Sequence, residues 1–240
     1  MKEKKKRIEI IDALRGLAVV LMVVHHLLYN LTEFLGAPEW LFTNPIFDIL
    51  HYIFAGLFIL LSGVSSRFSR SNVERGSIVI VLAVLITYVT NRMDMPIWFG
   101  ILHMLGLSMI LFGLTQKLWD VIPKKASPII FITLIAAGAL VKTYIPLTSE
   151  NIWLRDALNI LGWPQPGFRS YDYFPLLPWV FVFLLGTWLG IYIRDRKFPE
   201  WFYEIKPPVF PAVGRKALLI YILHQPVLYA VVMGIKYMSE

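Results

Sequence analysis

The sequence contains no cysteine among its 240 residues. This absence excludes a disulfide framework, a catalytic thiolate and a zinc site with cysteine ligands. Charged residues are also scarce, because Asp, Glu, Lys and Arg make up only 16% of the chain and cluster between long apolar segments. A soluble domain typically contains about 25% charged residues. The scarcity and the clustering together argue against a soluble protein.

Apolar and aromatic residues are abundant instead. The chain is 57% hydrophobic and includes eight Trp, sixteen Phe and eleven Tyr. A helix that crosses a bilayer satisfies its own backbone hydrogen bonds and needs no polar cover. The composition therefore predicts an all-α fold, a polytopic transmembrane helix bundle of about seven helices in a single domain over residues 1–240.

Seven segments are long and apolar enough to cross a bilayer, which requires about 20 residues. They cover residues 9–30, 46–66, 76–93, 97–115, 126–145, 173–193 and 213–235. The long connection at 146–172 contains a short amphipathic segment, 151–161, followed by a turn-rich segment, 162–167. No internal repeat is evident.

Lys and Arg are distributed unevenly between the two sets of connecting segments. Fifteen lie on the side of the N-terminus, beginning with Lys2, Lys4, Lys5, Lys6 and Arg7, and five lie on the opposite side. The positive-inside rule then places the N-terminus in the cytoplasm and Glu240 outside. The first apolar run extends to about Leu31, which is too long for a cleaved signal and predicts a retained helix.

The net charge of +7 has the same origin. The cations flank apolar runs and form no basic module with interleaved aromatic residues, so we expect contact with the lipid bilayer and no nucleic acid. The predicted location is the plasma (inner) membrane of a bacterium, as a multi-pass protein. A homo-oligomer is left open.

Three ionisable residues of the first span, Asp12, Arg15 and His26, are costly in a membrane and suggest function. Arg15 and His26 are eleven residues apart, which is about 20° beyond three helical turns and about 16 Å along the axis. They therefore share one face, whereas His25 lies about 80° away. The alternatives are an interfacial Asp12–Arg15 ion pair and a histidine that only packs.

All five histidines fall within predicted spans. Asp48 and His51 form an i,i+3 pair in the second span, His103 lies a turn or two into the fourth, and His224 lies in the seventh. Their recurrence favours a functional cluster over isolated packing residues. No His pair has i,i+4 spacing, so no metal site is predicted.

Small and basic residues adjoin at the end of the second span. Residues 62–66 (SGVSS) predict either a close helix contact or an approach for a ligand, and Ser62 is a candidate binding residue. Arg67, Arg70 and Arg75 follow, and with Lys124 and Lys125 they form a basic rim. This rim reflects either positive-inside bias or phosphate capture, for which arginine is well suited.

The chain resembles the membrane-bound acyltransferase superfamily that carries an Arg-x10-His signature. Within it, the chain is most similar to the bacterial branch related to the catalytic domain of heparan-alpha-glucosaminide N-acetyltransferase. The residues that carry the resemblance are 11–17 (IDALRGL) with His26, 57–65 (LFILLSGVS), 99–106 (FGILHMLG), 172–178 (DYFPLLP) and 214–226 (GRKALLIYILHQP).

The resemblance implies an enzyme that moves an acyl group, most simply acetyl, from cytoplasmic acetyl-CoA or another acyl-CoA to a carbohydrate-like acceptor outside. It implies that His26 is the catalytic base, with His51 or His103 as alternatives, and we expect Asp48 or Asn30 to orient a ring nitrogen. Arg15, Ser62, Arg67 and Arg70 would hold the CoA, and Asp172, Tyr173 and His224 would contact the acceptor.

Two other functions stay open. A transporter or flippase would use the histidines as proton relays, and it would bind no CoA. A non-catalytic membrane partner would tolerate substitution of every histidine.

Overall fold

The computed structural model describes residues 7–239. The cytoplasmic cations predicted at Lys2, Lys4, Lys5 and Lys6, and the outer position predicted for Glu240, lie outside the described residues. Within this range the chain is all helical and contains no β-strand. The helices are α1 (Glu9–Leu35), α2 (Pro45–Ser66), α3 (Asn72–Arg92), α4 (Ile101–Asp120), α5 (Ser127–Tyr144), α6 (Ile152–Leu161), α7 (Leu176–Arg194), α8 (Glu200–Glu204), α9 (Phe210–Arg215) and α10 (Ala217–Ser239).

Seven of the described helices, α1 to α5, α7 and α10, are long and apolar enough to cross a membrane. The predicted fold class, an all-α bundle with about seven spans, is therefore confirmed, and the chain is a multi-pass membrane protein. The side on which the N-terminus lies stays a prediction, and so does the single-domain organisation.

Local sequence signals explain where several helices begin and end. The Ser71 hydroxyl accepts the backbone N–H of Glu74 at the start of α3, and the Asn151 side chain accepts two backbone N–H groups at the start of α6. Gly36 ends α1 with a φ of 66°, a left-handed conformation that glycine adopts without a steric penalty. These are ordinary caps for otherwise unpaired backbone groups.

The fourth and seventh spans each begin four residues later than the sequence predicts, at Ile101 instead of residue 97 and at Ala217 instead of residue 213. The apolar pattern predicts the fourth span from residue 97, but Asp94 and Phe99 have φ values of 55° and 53°, so the chain turns there and α4 begins at Ile101. The pattern predicts the seventh from residue 213, but the chain first forms the short α9 and then breaks at Lys216 before α10 begins.

The described residues form two compact units. The first contains α1, the part of α2 up to Leu61, and α8 to α10. In this unit α1 packs against both α9 and α10. The contact is close because Gly16 lies against the backbone of Phe210 and Gly214, and Gly214 lies against the Asp12 carbonyl.

The second unit runs from Ser62 to Lys197 and contains the end of α2 and α3 to α7. Here α3 packs on α4 through Gly76 and Gly106, and α5 packs on α7. Gly63 of the SGVSS segment lies directly against the backbone of Phe183. The small residues at 62–66 therefore provide a close helix contact, one of the two predicted roles.

Substitution of Gly16 by Ala should destabilise the protein. A Cβ there would meet the backbone of Phe210 and Gly214, and overpacking against backbone typically costs about 1–3 kcal/mol. Gly234→Ala is the matched control, because a Cβ at Gly234 would meet no atom within 4 Å and Ala is favoured in a helix by up to ~1 kcal/mol. Thermal unfolding in detergent should show a lower Tm for Gly16→Ala only; equal Tm values would contradict the close contact.

Candidate functional site

The first unit brings four histidines together. The His26 ring lies 4.9 Å from the His224 ring, measured between centroids, and the His25 ring lies 4.4 Å from the His51 ring. His25 and His26 are neighbours on α1, and their rings are 5.7 Å apart. Because consecutive helical residues point about 100° apart, one histidine meets α10 and the other meets α2.

A hydrogen bond determines the tautomer of His224. Its Nδ1 lies 2.6 Å from the Tyr221 carbonyl oxygen, which can only accept, so Nδ1 carries the proton. In a neutral imidazole the other nitrogen, Nε2, then holds a lone pair. This Nε2 is buried and has no hydrogen-bond partner within residues 7–239. His224 is therefore arranged to accept a proton from a molecule that reaches it.

The amides of Asn30 and Gln225 position this pair of rings. Each amide donates to the carbonyl oxygen of the other, at 3.3 Å in both directions, and Asn30 is completely buried. Asn30 lies about one turn after His26, and Gln225 directly follows His224. The reciprocal bonds therefore fix the register between α1 and α10 next to the rings.

Arg15 and Asp12 form the intrahelical ion pair that their spacing suggested. The Arg15 Nη1 lies 3.0 Å from the Asp12 Oδ1, and both side chains are partly exposed, at 18% and 15%. Since α1 is one continuous helix from Glu9 to Leu35, the predicted distance of about 16 Å between Arg15 and His26 follows from its rise per residue.

Asp48 lies in the first turn of α2 and is exposed, one turn before His51. Both belong to the first unit with His25, His26 and His224. The structure thus groups three of the residues predicted to be catalytic, Asp48, His51 and His26, with His224, which was predicted to contact the acceptor. His25 was not predicted as a site residue, and its contact with His51 depends on interhelical packing.

His103 lies in the second unit, where both of its ring nitrogens have partners. The backbone N–H of Gly100 donates to Nδ1 at 3.2 Å. The Thr87 hydroxyl donates to the Ile97 carbonyl at 2.6 Å, so its oxygen accepts from the His103 Nε2, also at 3.2 Å. His103 joins the start of α4 to α3 and holds no unused lone pair in this arrangement.

The two residues predicted to bind the acceptor in this unit also have structural partners. Asp172 accepts the backbone N–H of Ile101 and so caps the start of α4. The Tyr173 hydroxyl donates to the Asn159 carbonyl at 2.6 Å. Neither contact excludes a ligand, but each gives the residue a role in shaping the connections before α4 and α7.

Arg67 is an anchor of the second unit. Its side chain is 4% exposed, and its Nη1 pairs with the Asp120 Oδ1 at 2.7 Å. Its Nε donates to the Thr187 carbonyl, and the guanidinium lies over the Phe112 ring. Burial lowers the pKa of Arg67, and the Asp120 hydrogen bond opposes this shift.

Ser62 is also buried, and its backbone carbonyl accepts the Ser66 hydroxyl. Arg70, in contrast, is exposed.

A small cleft opens beside Arg67. It encloses about 120 Å³ and is lined by Arg67, Trp119, Asp120, Lys124, Trp188 and Arg194, among others. Lys124 bonds Asp195 at 3.1 Å, and this bond lowers the pKa of the Asp195 carboxyl. Since its cations are paired with Asp120 and Asp195, the cleft is less basic than the sequence indicated.

Within residues 7–239 no group of three or more His, Asp or Glu side chains could hold a metal ion.

The chain matches a known protein family. The model of the family described as "Heparan-alpha-glucosaminide N-acetyltransferase, catalytic" matches residues 7–226. That match covers most of both units and confirms the resemblance found in the sequence. Neither a search of curated proteins nor a search of solved structures finds a match.

Replacing His103 by Ala should lower stability, because it removes the acceptor for the Gly100 N–H and the donor to Thr87. The loss of such part-buried hydrogen bonds typically costs about 0.5–1.5 kcal/mol each. Thermal unfolding in detergent should show the lower Tm. An unchanged Tm would contradict the structural role of the ring.

Arg67→Ala should destabilise the protein more than Arg70→Ala. The first change removes a buried ion pair, a hydrogen bond and a ring contact, whereas the second removes an exposed side chain. Breaking a buried pair costs up to about 3–5 kcal/mol, and the 43% exposure of Asp120 places this case lower. Matched Tm measurements of the two variants check the order; the reverse order would contradict the anchoring role.

Proposed function

Because the chain belongs to the family of heparan-alpha-glucosaminide N-acetyltransferase catalytic domains, we propose that it transfers an acetyl group from acetyl-CoA to the amine of a sugar. The family match over residues 7–226 supports acetyl transfer, and the family name supports a glucosaminide amine as acceptor. The structural observation that carries the proposal is the buried, unpartnered Nε2 of His224 beside the His26 ring.

The pair of His26 and His224 supplies the base in this proposal. The His224 Nε2 takes a proton from the acceptor amine as the nitrogen attacks the carbonyl carbon of the thioester. A C–N bond forms, the C–S bond breaks, and the CoA sulfur leaves and takes up a proton. General base catalysis of this kind contributes about 10²–10⁴-fold to the rate.

Hydrogen bonds fix the tautomer of His224 and the position of the helix that carries it. The Tyr221 carbonyl holds the His224 Nδ1–H, so the lone pair stays on Nε2, as in other sites where the second nitrogen is fixed by a hydrogen bond. The Asn30–Gln225 pair keeps α10 at the height where His224 meets His26. Both contacts exist before any substrate binds, so no reorganisation is needed at the moment of reaction.

Each unit holds one candidate for contact with the CoA phosphates, Arg15 in the first and Arg70 in the second, and each is a candidate independently of the other. A guanidinium carries five N–H donors in a fork that matches phosphate geometry, Arg15 is partly exposed, and Arg70 is exposed. For Arg67 and Ser62, which were also predicted to bind CoA, the contacts within the second unit favour a packing role. We likewise assign His103, Asp172 and Tyr173 to the structure of the second unit.

His224→Ala and His26→Ala should each lower kcat for acetyl transfer by about 10²-fold or more, because each removes one of the two imidazole rings that together supply the base. The assay uses purified protein, radiolabelled acetyl-CoA and methyl glucosaminide. Binding of acetyl-CoA should persist, since a base acts mainly on the transition state.

Gly234→Ala, on the same helix as His224 and without close neighbours, is the matched control and should keep full activity. A melting curve for each variant separates lost chemistry from unfolding. Full transfer by both histidine variants would rule out this base. Wild-type protein that binds no acetyl-CoA and transfers no acetyl group would instead favour the transporter or the non-catalytic partner.

A further inference from the structure

The histidines of the first unit form a continuous row that extends beyond the pair used as a base. The ring centroids are separated by 4.9 Å from His224 to His26, 5.7 Å from His26 to His25, and 4.4 Å from His25 to His51. At such spacings a single water molecule can bridge the ring nitrogens of neighbouring imidazoles and pass a proton between them. Packing alone does not require four titratable rings in contact, since apolar rings would fill the same space without the cost of burying polar atoms.

The two ends of the row differ in character. At one end the His224 Nε2 is buried and holds a lone pair. At the other end His51 is one turn from Asp48, an exposed carboxylate in the first turn of α2. Between them the His25 Nδ1 is also buried without a hydrogen-bond partner in the part of the chain that the structure describes. The row therefore leads from the buried His224 Nε2 to the exposed side chain of Asp48.

The proposed reaction creates a need for such a route. A sugar amine with a pKa similar to that of an α-amino group, about 7.7–8.0, is largely an ammonium ion in water at neutral pH. Conversion of this ammonium to an amide releases two protons from nitrogen. One replaces the acyl group on the CoA sulfur, and the other must leave the protein once in every turnover.

We propose that His26, His25 and His51 carry this second proton from His224 to Asp48 and so reset the base after each acetyl transfer. His25 and His51 act through His224 and touch neither substrate, so they are relay residues and not catalytic ones. This proposal rests on the proposed acetyltransferase function.

The test is turnover of the full-length protein with acetyl-CoA and methyl glucosaminide. We expect His51→Ala to lower kcat by about tenfold or more and to leave the KM for acetyl-CoA unchanged, because proton release slows while binding does not. Imidazole added to the buffer should restore much of the lost kcat, since a small base can occupy the space left by the ring. His25→Ala should respond in the same way.

Phe42→Leu is the matched control. The Phe42 ring lies 5.0 Å from the His25 ring, so this variant disturbs packing at the same place but removes no proton carrier. It should retain kcat and show no response to imidazole. A melting curve for each variant identifies any that fail to fold, and rescue by imidazole would not occur if the defect were structural.

Three outcomes would overturn the relay. If His51→Ala and His25→Ala turn over at the wild-type rate while His224→Ala is inactive, the base is correct and the relay is wrong. If their kcat falls but imidazole restores none of it, the two rings have a structural role. If the wild-type protein transfers no acetyl group at all, the proposed function fails and the relay fails with it.

Discussion

The reciprocal hydrogen bonds between Asn30 and Gln225 are the constraint on which the histidine cluster depends. In an apolar medium an unpaired amide is costly, so each side chain requires the other as its partner. A shift of α10 along α1 by one residue would break both bonds. About 21 Å away along α1, Gly16 and Gly214 bring α1 and α9 into backbone contact. Since only Lys216 separates α9 from α10, this second contact also limits how far α10 can slide, and His26 and His224 stay face to face.

The spans were predictable because bilayer thickness imposes a length and an apolar composition that the sequence displays directly. Their ends were less predictable. The early start expected for α4 failed because Phe99 adopts a positive φ value, which a phenylalanine does not signal. The separate α9 was missed because Phe210 to Arg215 continues the apolar pattern of α10, and only the break at Lys216 divides them.

The candidate site was partly predictable from helical periodicity. The 100° step places His25 and His26 on different faces of α1, and the structure shows them meeting different helices. Which helices they meet depends on packing between segments far apart in sequence, for which periodicity holds no information. The role of His103 had a weak local signal, since a polar side chain at the third helical position can accept the backbone N–H of the N-cap residue, as the His103 ring does for Gly100.

The contacts around the start of α4 also determine which parts of the second unit unfold locally together. Pro96 and Phe99 accept backbone N–H groups from Tyr171 and Phe174, and Trp98 donates to the Ser170 hydroxyl. Asp172 adds the cap on Ile101. These hydrogen bonds join the connection before α4 and the connection before α7 into one cooperative element. The two connections therefore unfold locally together. Hydrogen exchange should therefore give amides on both connections a common free energy of opening, although Trp98 and Ser170 are 72 residues apart in the chain.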